Sequence, residues 1–210
     1  MYQPASFRED DVETQLALVR ANPLGLLISH GSQGLLADPI PFLVDVDQQG
    51  RVTLRAHVAR ANPHWQVLQT VQECLVVFQG VEGYISPNWY QSKSQSGKVV
   101  PTWNYAAVHM WGVPTVTHDP LWLRQQLDGL TRLQESQQPE PWQIDDAPAN
   151  YIASQMKGIV GIEIAITRRE GKWKMSQNRS AEDVSGVIAG LQAGDSVQQQ
   201  LADEVERCRE

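Results

Sequence analysis

An antiparallel, β-rich α+β fold, with strands forming a sandwich or barrel and helices on its flanks, is the architecture this sequence predicts. Three observations carry that expectation. Between residues 24 and 57 three short strand-like segments follow one another, separated by the turn sequences HGSQG and DQQG; such a run reads as an antiparallel meander. Further apolar runs of strand length return at Leu75–Phe78, Val108–Gly112 and Ile159–Thr167. Helical segments lie before, between and after them. At 210 residues and 41% hydrophobic content the chain suits one well-buried core. A single domain over residues 1–195 is therefore expected, followed by a polar helix or tail over 196–210.

Asp10-Asp11 starts a helix running to Ala21, with Glu13 as the capping-box partner of Asp10 and with Leu16 and Val19 in its apolar stripe. Asn22-Pro23 ends it, and Leu24–Ser29 is a buried strand. Residues 35–46 form a second strand, interrupted near Asp38-Pro39 and Pro41; prolines remove ladder donors and so mark an edge or a bulge. Arg51–His57 alternates apolar and polar residues, as a half-buried strand does. Asn62 caps and Pro63 opens a short helix reaching residue 69. Val108–Gly112 continues as a strand through Val113–His118. Asp119-Pro120 then starts a helix bearing Leu121, Leu123, Leu127, Leu130 and Leu133. Asp145 or Asp146 caps another, with Tyr151, Ile152 and Met156 on one face and Gly158 at its end. Ile159–Thr167 is a strand, followed by a turn at Gly171. Ser180 and Asp183 open a helix ending near Gly190 or Gly194. A last polar helix, residues 196–209, is expected on the surface with a fraying end.

The totals exclude several function classes. Formal net charge is −7 and the sequence pI is near 5.2. Nucleic-acid binders draw affinity from neutralising phosphates with a basic stripe; none is visible, so direct DNA binding is not expected. Cys74 opens an apolar strand as a small buried hydrophobe, and Cys208 stands in a charged tail; two such cysteines make neither a disulfide framework nor a metal site. The five histidines lack ligand spacing, so no metal is expected. No apolar run approaches the ~20 residues of a membrane span, and no signal peptide precedes Phe7. The expectation is a cytoplasmic protein without membrane contact.

Candidate chemistry concentrates in the stretch from Cys74 to Gly112. Tyr84, Trp89, Tyr90, Trp103 and Tyr105 crowd into 22 positions, interleaved with Ser86, Asn88, Thr102 and Asn104. Flat rings beside hydrogen-bonding groups suit a planar, polar-edged ligand; a compact loop packed by its own aromatics is the other reading. A second cluster, Lys172, Lys174, Ser176, Gln177, Asn178 and Arg179, is the densest set of donors in the chain. It suits a phosphate or a carbonyl edge, or else an edge strand protected by lysines. Arg60 stands before the Asn62-Pro63 helix start, which reads as a phosphate cradle or as a solvated turn.

The motifs GYISPNWY, VPTWNYAAVHMWG, MKGIVGIEI and KWKMSQNR resemble the PaiB-like family of FMN-binding negative transcriptional regulators. The resemblance runs from MYQP at the N-terminus to about Gly190. It implies a split β-barrel of the pyridoxamine-phosphate-oxidase type, a homodimer, and FMN at the subunit interface. It implies a flavin-dependent redox or sensing protein acting on a small molecule, with FMN-dependent oxidoreductase activity as one form of that. The alternative is a transcriptional repressor acting by DNA or through a partner protein. Heme handling on the same barrel ranks below both, because no axial ligand stands out. The implied cofactor residues are His57, Arg60 and Asn62 at the phosphate, and Thr102, Trp103, Asn104 and Tyr105 with Ser176, Gln177 and Asn178 at the ring. Lys174 shares the strand face of Ser176. Catalytic residues are not assigned. The chain departs from the family at Asp38 and Glu82, where a carboxylate enters and a histidine is lost; a carboxylate close to a phosphate repels it.

Overall fold

The computed structural model describes residues 1–209. Among them are eight strands and seven α-helices, in the order β1 (Arg8–Glu9), α1 (Val12–Ala21), β2 (Leu24–Gly31), β3 (Gly34–Pro41), β4 (Leu43–Val46), β5 (Val52–Ala59), α2 (His64–Leu68), β6 (Cys74–Ile85), α3 (Ser92–Ser96), β7 (Thr102–Thr117), α4 (Pro120–Glu135), α5 (Ala149–Lys157), β8 (Ile159–Lys174), α6 (Ala181–Gln192) and α7 (Ser196–Arg207). The strand order is β3-β2-β6-β7-β8-β5-β4, with β1 pairing to β8 off this path. The expected antiparallel α+β class is the observed one. Pro39 and Pro41 sit in β3, at the end of that order, where a missing N–H breaks no ladder. No helix among the described residues is long and apolar enough to cross a membrane.

The chain forms two compact units. One comprises Val19–Phe78 and His109–Arg169. Its core takes alternate residues of β5, Val52, Leu54, Ala56 and Val58, with Val160, Ile162 and Ile164 of the paired β8. Phe42 and Phe78 pack edge to face at 5.8 Å. Asp119 caps α4 by accepting from Leu121 N at 3.0 Å. The leucine stripe expected along α4 is buried only at Leu123, and Leu121 is 75% exposed. The other fully buried side chain of that helix is Gln126, which has a polar partner described below.

The other unit comprises Met1–Leu18, Gln79–Val108 and the residues from Glu170. Its helices α6 and α7 bury Val184, Val187, Ile188 and Leu191 with Leu201, Ala202 and Val205. The last helix is therefore amphipathic and half buried, and Trp173 Nε1 ties it to β8 by donating to Glu204. Its many glutamines and glutamates predict a fraying surface helix; most of them are exposed, but Glu204 faces Trp173 beside the buried Leu201, Ala202 and Val205. On α6, Gly186 and Gly190 face Trp89: an added Cβ would fall 2.0 Å from the Trp89 carbonyl oxygen or 2.4 Å from its indole. That close packing fixes the turn bearing Tyr90.

Four local expectations change. Neither Asp145 nor Asp146 caps α5: both lie in the 3-10 turn Ile144–Asp146, and the residue before the helix is Pro148. Asp11 rather than Asp10 caps α1, accepting from Thr14 N at 2.7 Å. Gly171 is not a turn but lies inside β8, paired to Glu9. Its missing Cβ admits the Glu9 carbonyl oxygen, which would lie 2.8 Å away; the glycine serves close approach. Both ends of the supposed aromatic loop are strand: β6 extends to Ile85 and β7 begins at Thr102, leaving residues 86–101 as the connection. Polar and aromatic side chains occupy one face there while Ile85, Asn104 and Ala106 are buried, so the apolar-run criterion missed it.

Candidate functional site

In the unit carrying the C-terminal helices, β8 ends at Lys174 and the chain turns sharply through residues 175–179. Ser176 adopts φ 67°, a left-handed conformation that costs a residue with a Cβ on the order of 1–3 kcal/mol. Its neighbours impose it. Gln177 accepts from Met175 N at 2.7 Å and donates to the Trp173 carbonyl at 2.7 Å. Asn104 Nδ2 donates to Ser176 Oγ at 2.9 Å, and both residues are buried.

Beside this turn lies a cavity of about 110 Å³ whose polar walls include Tyr90, Thr102, Asn104, Lys174, Asn178 and Arg179. None of its lining residues is a carboxylate. The Lys174 ammonium donates to Thr102 Oγ1 and to the Trp103 carbonyl. Burial pulls its pKa below the ordinary lysine value, and the charges of Lys172 and Arg179 pull it further. Lys172 is itself 8% exposed, with its ammonium 5.2 Å from the Tyr105 ring centroid. The Arg179 guanidinium lies 4.5 Å from the ring centroid of Tyr90. Tyr90 is 3% exposed; its polar neighbour Arg179 can only donate, so the hydroxyl proton has no acceptor among the described residues. Burial raises the phenol pKa against the opposing pull of Arg179, so the hydroxyl stays a donor at neutral pH. Close by, Tyr84 and Trp103 stand about half exposed, edge to face at 6.3 Å.

The other unit holds a polar network of different character. Ser29 Oγ lies 2.8 Å from His64 Nε2, and His64 Nδ1 lies 2.7 Å from Asp38 Oδ2. Asn62 donates to the same Asp38 oxygen at 3.2 Å and accepts from His64 N at 2.9 Å. Burial opposes ionisation of Asp38, but the bonds from His64 and Asn62 outweigh it and hold the carboxyl below its usual range. The connectivity is that of a Ser-His-Asp triad, yet Ser29 and His64 are 3% and 1% exposed. The bonds tie β2, β3 and α2 together. Arg60 donates to the carbonyls of Lys157 (2.7 Å) and Ile159 (3.1 Å). His57 Nδ1 lies 2.8 Å from Gln126 Oε1, and the imidazole borders a mainly apolar cavity of about 250 Å³ with Leu127, Trp142, Ile152 and Met156.

Of the residues expected at a flavin, Thr102, Asn104, Lys174, Ser176 and Asn178 therefore meet around one cavity. Trp103 and Tyr105 flank it on β7, and the Gln177 side chain holds its own turn. His57, Arg60 and Asn62 lie in the other unit, each with protein partners, beside a helix of only five residues. Tyr90, Lys172 and Arg179 were not among the expected cofactor residues. The donor run at 172–179 already contained two of them, but nothing local signalled that Tyr90, 89 residues before Arg179, would stack on it. The carboxylates feared as repulsive are both bonded: Asp38 as above, and Glu82 by accepting from Gln79 Nε2 at 2.6 Å.

Residues 1–168 match the family described as "Putative FMN-binding domain". The chain belongs to this family. Among its relatives is an uncharacterised protein of Aspergillus fumigatus, 33% identical over 91% of each chain. Another is the protease synthase and sporulation protein PAI 2 of Bacillus subtilis, 30% identical over 91% of this chain and 89% of that one. Among solved structures, the FAD and heme binding protein of Mycobacterium smegmatis superposes with a TM-score of 0.62 at 16% identity, over 85% of this chain and 78% of that one. At that identity the likeness concerns the fold, an antiparallel split β-barrel with flanking helices.

Proposed function

We propose that the protein binds FMN as a homodimer, with the cofactor at the subunit interface, and acts as a flavin-dependent redox or sensing protein on a small molecule. The observation that supports this best is the donor set around Asn104, Lys174 and Ser176, without a carboxylate and beside exposed aromatic faces. That chemistry fits a flavin, whose phosphate and ring edge accept hydrogen bonds and whose faces stack on aromatics. The cofactor when bound supplies the electron-transfer chemistry. The protein's part is to hold and tune it. Lys174 places positive charge where negative charge must be tolerated, and the Asn104–Ser176 pair fixes donors in a strained but over-determined turn. Trp103 and Tyr84 offer flat surfaces that a ligand or second protomer would shield from water.

The test is a fluorescence titration of the full-length protein with FMN, alongside sedimentation for the dimer. Saturable quenching by wild type, weakened at least tenfold in Lys174→Met, is the expected result. Folded wild-type protein that leaves flavin fluorescence unchanged would sink the reading. A regulatory role is a second reading, favoured by the Bacillus subtilis relative, whose name ties it to protease synthesis and sporulation. With a net charge of −7 the protein would act through a partner, and its affinity for unrelated duplex at physiological salt should be weak. Tight, salt-sensitive binding to a specific duplex by the protein alone would favour direct repression instead.

A further inference from the structure

We propose that the cavity between the start of β7, the 175–179 turn and Tyr90 is an oxyanion subsite, built for a phosphate or carboxylate group. Size supports a small group. Sites for drug-sized ligands run to ~300–1,000 Å³, whereas this cavity is about 110 Å³, enough for one oxyanion and too small for a flavin ring. Its lining residues carry several kinds of donor: the ammonium of Lys174, the guanidinium of Arg179, the amides of Asn104 and Asn178, and the hydroxyl of Tyr90. A buried phenol whose proton has no acceptor costs free energy until something accepts it. An anion is the acceptor this site favours, because the lining holds two cations and no carboxylate. Asp183, whose carboxyl feels the charge of Arg179, is already the acceptor for Ser92 N (2.9 Å) and Ser92 Oγ (2.7 Å). Arg179, laid against the Tyr90 ring, is held ready for a bidentate bond.

The proposal rests on the flavin reading only in sharing Lys174 and Asn104 with it, and its test reads anion binding without flavin. Inorganic phosphate is titrated calorimetrically into the full-length, flavin-free protein and into Tyr90→Phe and Arg179→Gln, with circular dichroism as the folding control. The expected result is saturable binding by wild type, weakened several-fold by loss of the single hydroxyl and more than tenfold by loss of the guanidinium. Repeating the titration with FMN and with riboflavin identifies the source of the anion. Competition between phosphate and FMN, with Arg179→Gln weakening FMN but not riboflavin, would assign the subsite to the cofactor's own phosphate. Unchanged phosphate affinity in the FMN-loaded protein would assign it to a separate anionic substrate. Either result supports the subsite, and phosphate binding by a protein that ignores FMN would support it while removing the flavin reading. No saturable phosphate binding, or equal binding by wild type and both folded variants, would overturn it.

Discussion

The two polar clusters use similar residue types and differ in what those residues touch. Around His64, both ring nitrogens have partners, Asp38 has two donors, and Asn62 uses both ends of its amide. Around Lys174, cations gather without a carboxylate in the cavity wall, and the Tyr90 hydroxyl proton is left without an acceptor among the described residues. A satisfied network rigidifies and locates strands; an unsatisfied one of single sign leaves room for a ligand of opposite sign. The difference teaches that polarity alone does not mark a site. What marks it is the group left over.

That contrast can be broken from either side. The largest effect is expected at His64: His64→Ala removes partners from Ser29 and Asp38 in a closed interior and should cost about 2–4 kcal/mol of stability. For a chain of this length that is a fall in Tm of roughly 5–15 °C, read by calorimetry, with flavin and phosphate affinity retained below the transition. Lys174→Met should do the reverse. It should weaken FMN by about 1.5–3 kcal/mol, the worth of a charge-assisted bond, while the ligand-free protein keeps or gains stability because a partly buried cation has gone.

Smaller effects appear as pH dependence. The folded pKa of Lys174 is lowered, so the folded state binds fewer protons than the unfolded one and stability rises with pH. The gain begins as pH rises through the lowered value and is complete above the ordinary 10.5; Lys174→Met should flatten that limb. Asp38 has the opposite sign of shift relative to charge. Its contribution is complete above the ordinary 3.8 and is lost as pH falls through the lowered value, and Asp38→Asn should remove that acid limb. The smallest expected effect is at Arg60, whose exposed guanidinium bonds two carbonyls. Arg60→Ala should cost about 1 kcal/mol or less and leave FMN affinity within twofold. A larger loss of affinity would return the flavin phosphate to the β5–α2 turn.

The fold was legible wherever burial wrote a period into the sequence. β5, with Val52, Leu54, Ala56 and Val58 inward, and the proline-marked β3 show it. The outer halves of β6 and β7 were not legible, because Tyr84 and Trp103 are exposed and the buried partner of Trp103 is an asparagine. α7 hid its apolar face behind glutamines for the same reason. Of the site, the Thr102–Tyr105 and Lys174–Asn178 segments could be named from their residues. The pairing that gives them meaning spans 72 positions from Asn104 to Ser176, and no local pattern encodes it. The His64 network was not legible: Asn62 accepts from His64 N at the start of α2, as its place before Pro63 suggests, but its amide also binds Asp38 of β3, a contact that no local pattern encodes.

FMN titrated under identical conditions into wild type, Lys174→Met and Asp38→Ala, each verified as folded, separates the two clusters. The account predicts that wild type and Asp38→Ala bind alike within about twofold, although Asp38→Ala unfolds at lower temperature, and that Lys174→Met binds at least tenfold more weakly. Loss of binding in Asp38→Ala with full binding in Lys174→Met would place the ligand in the satisfied network and contradict the account.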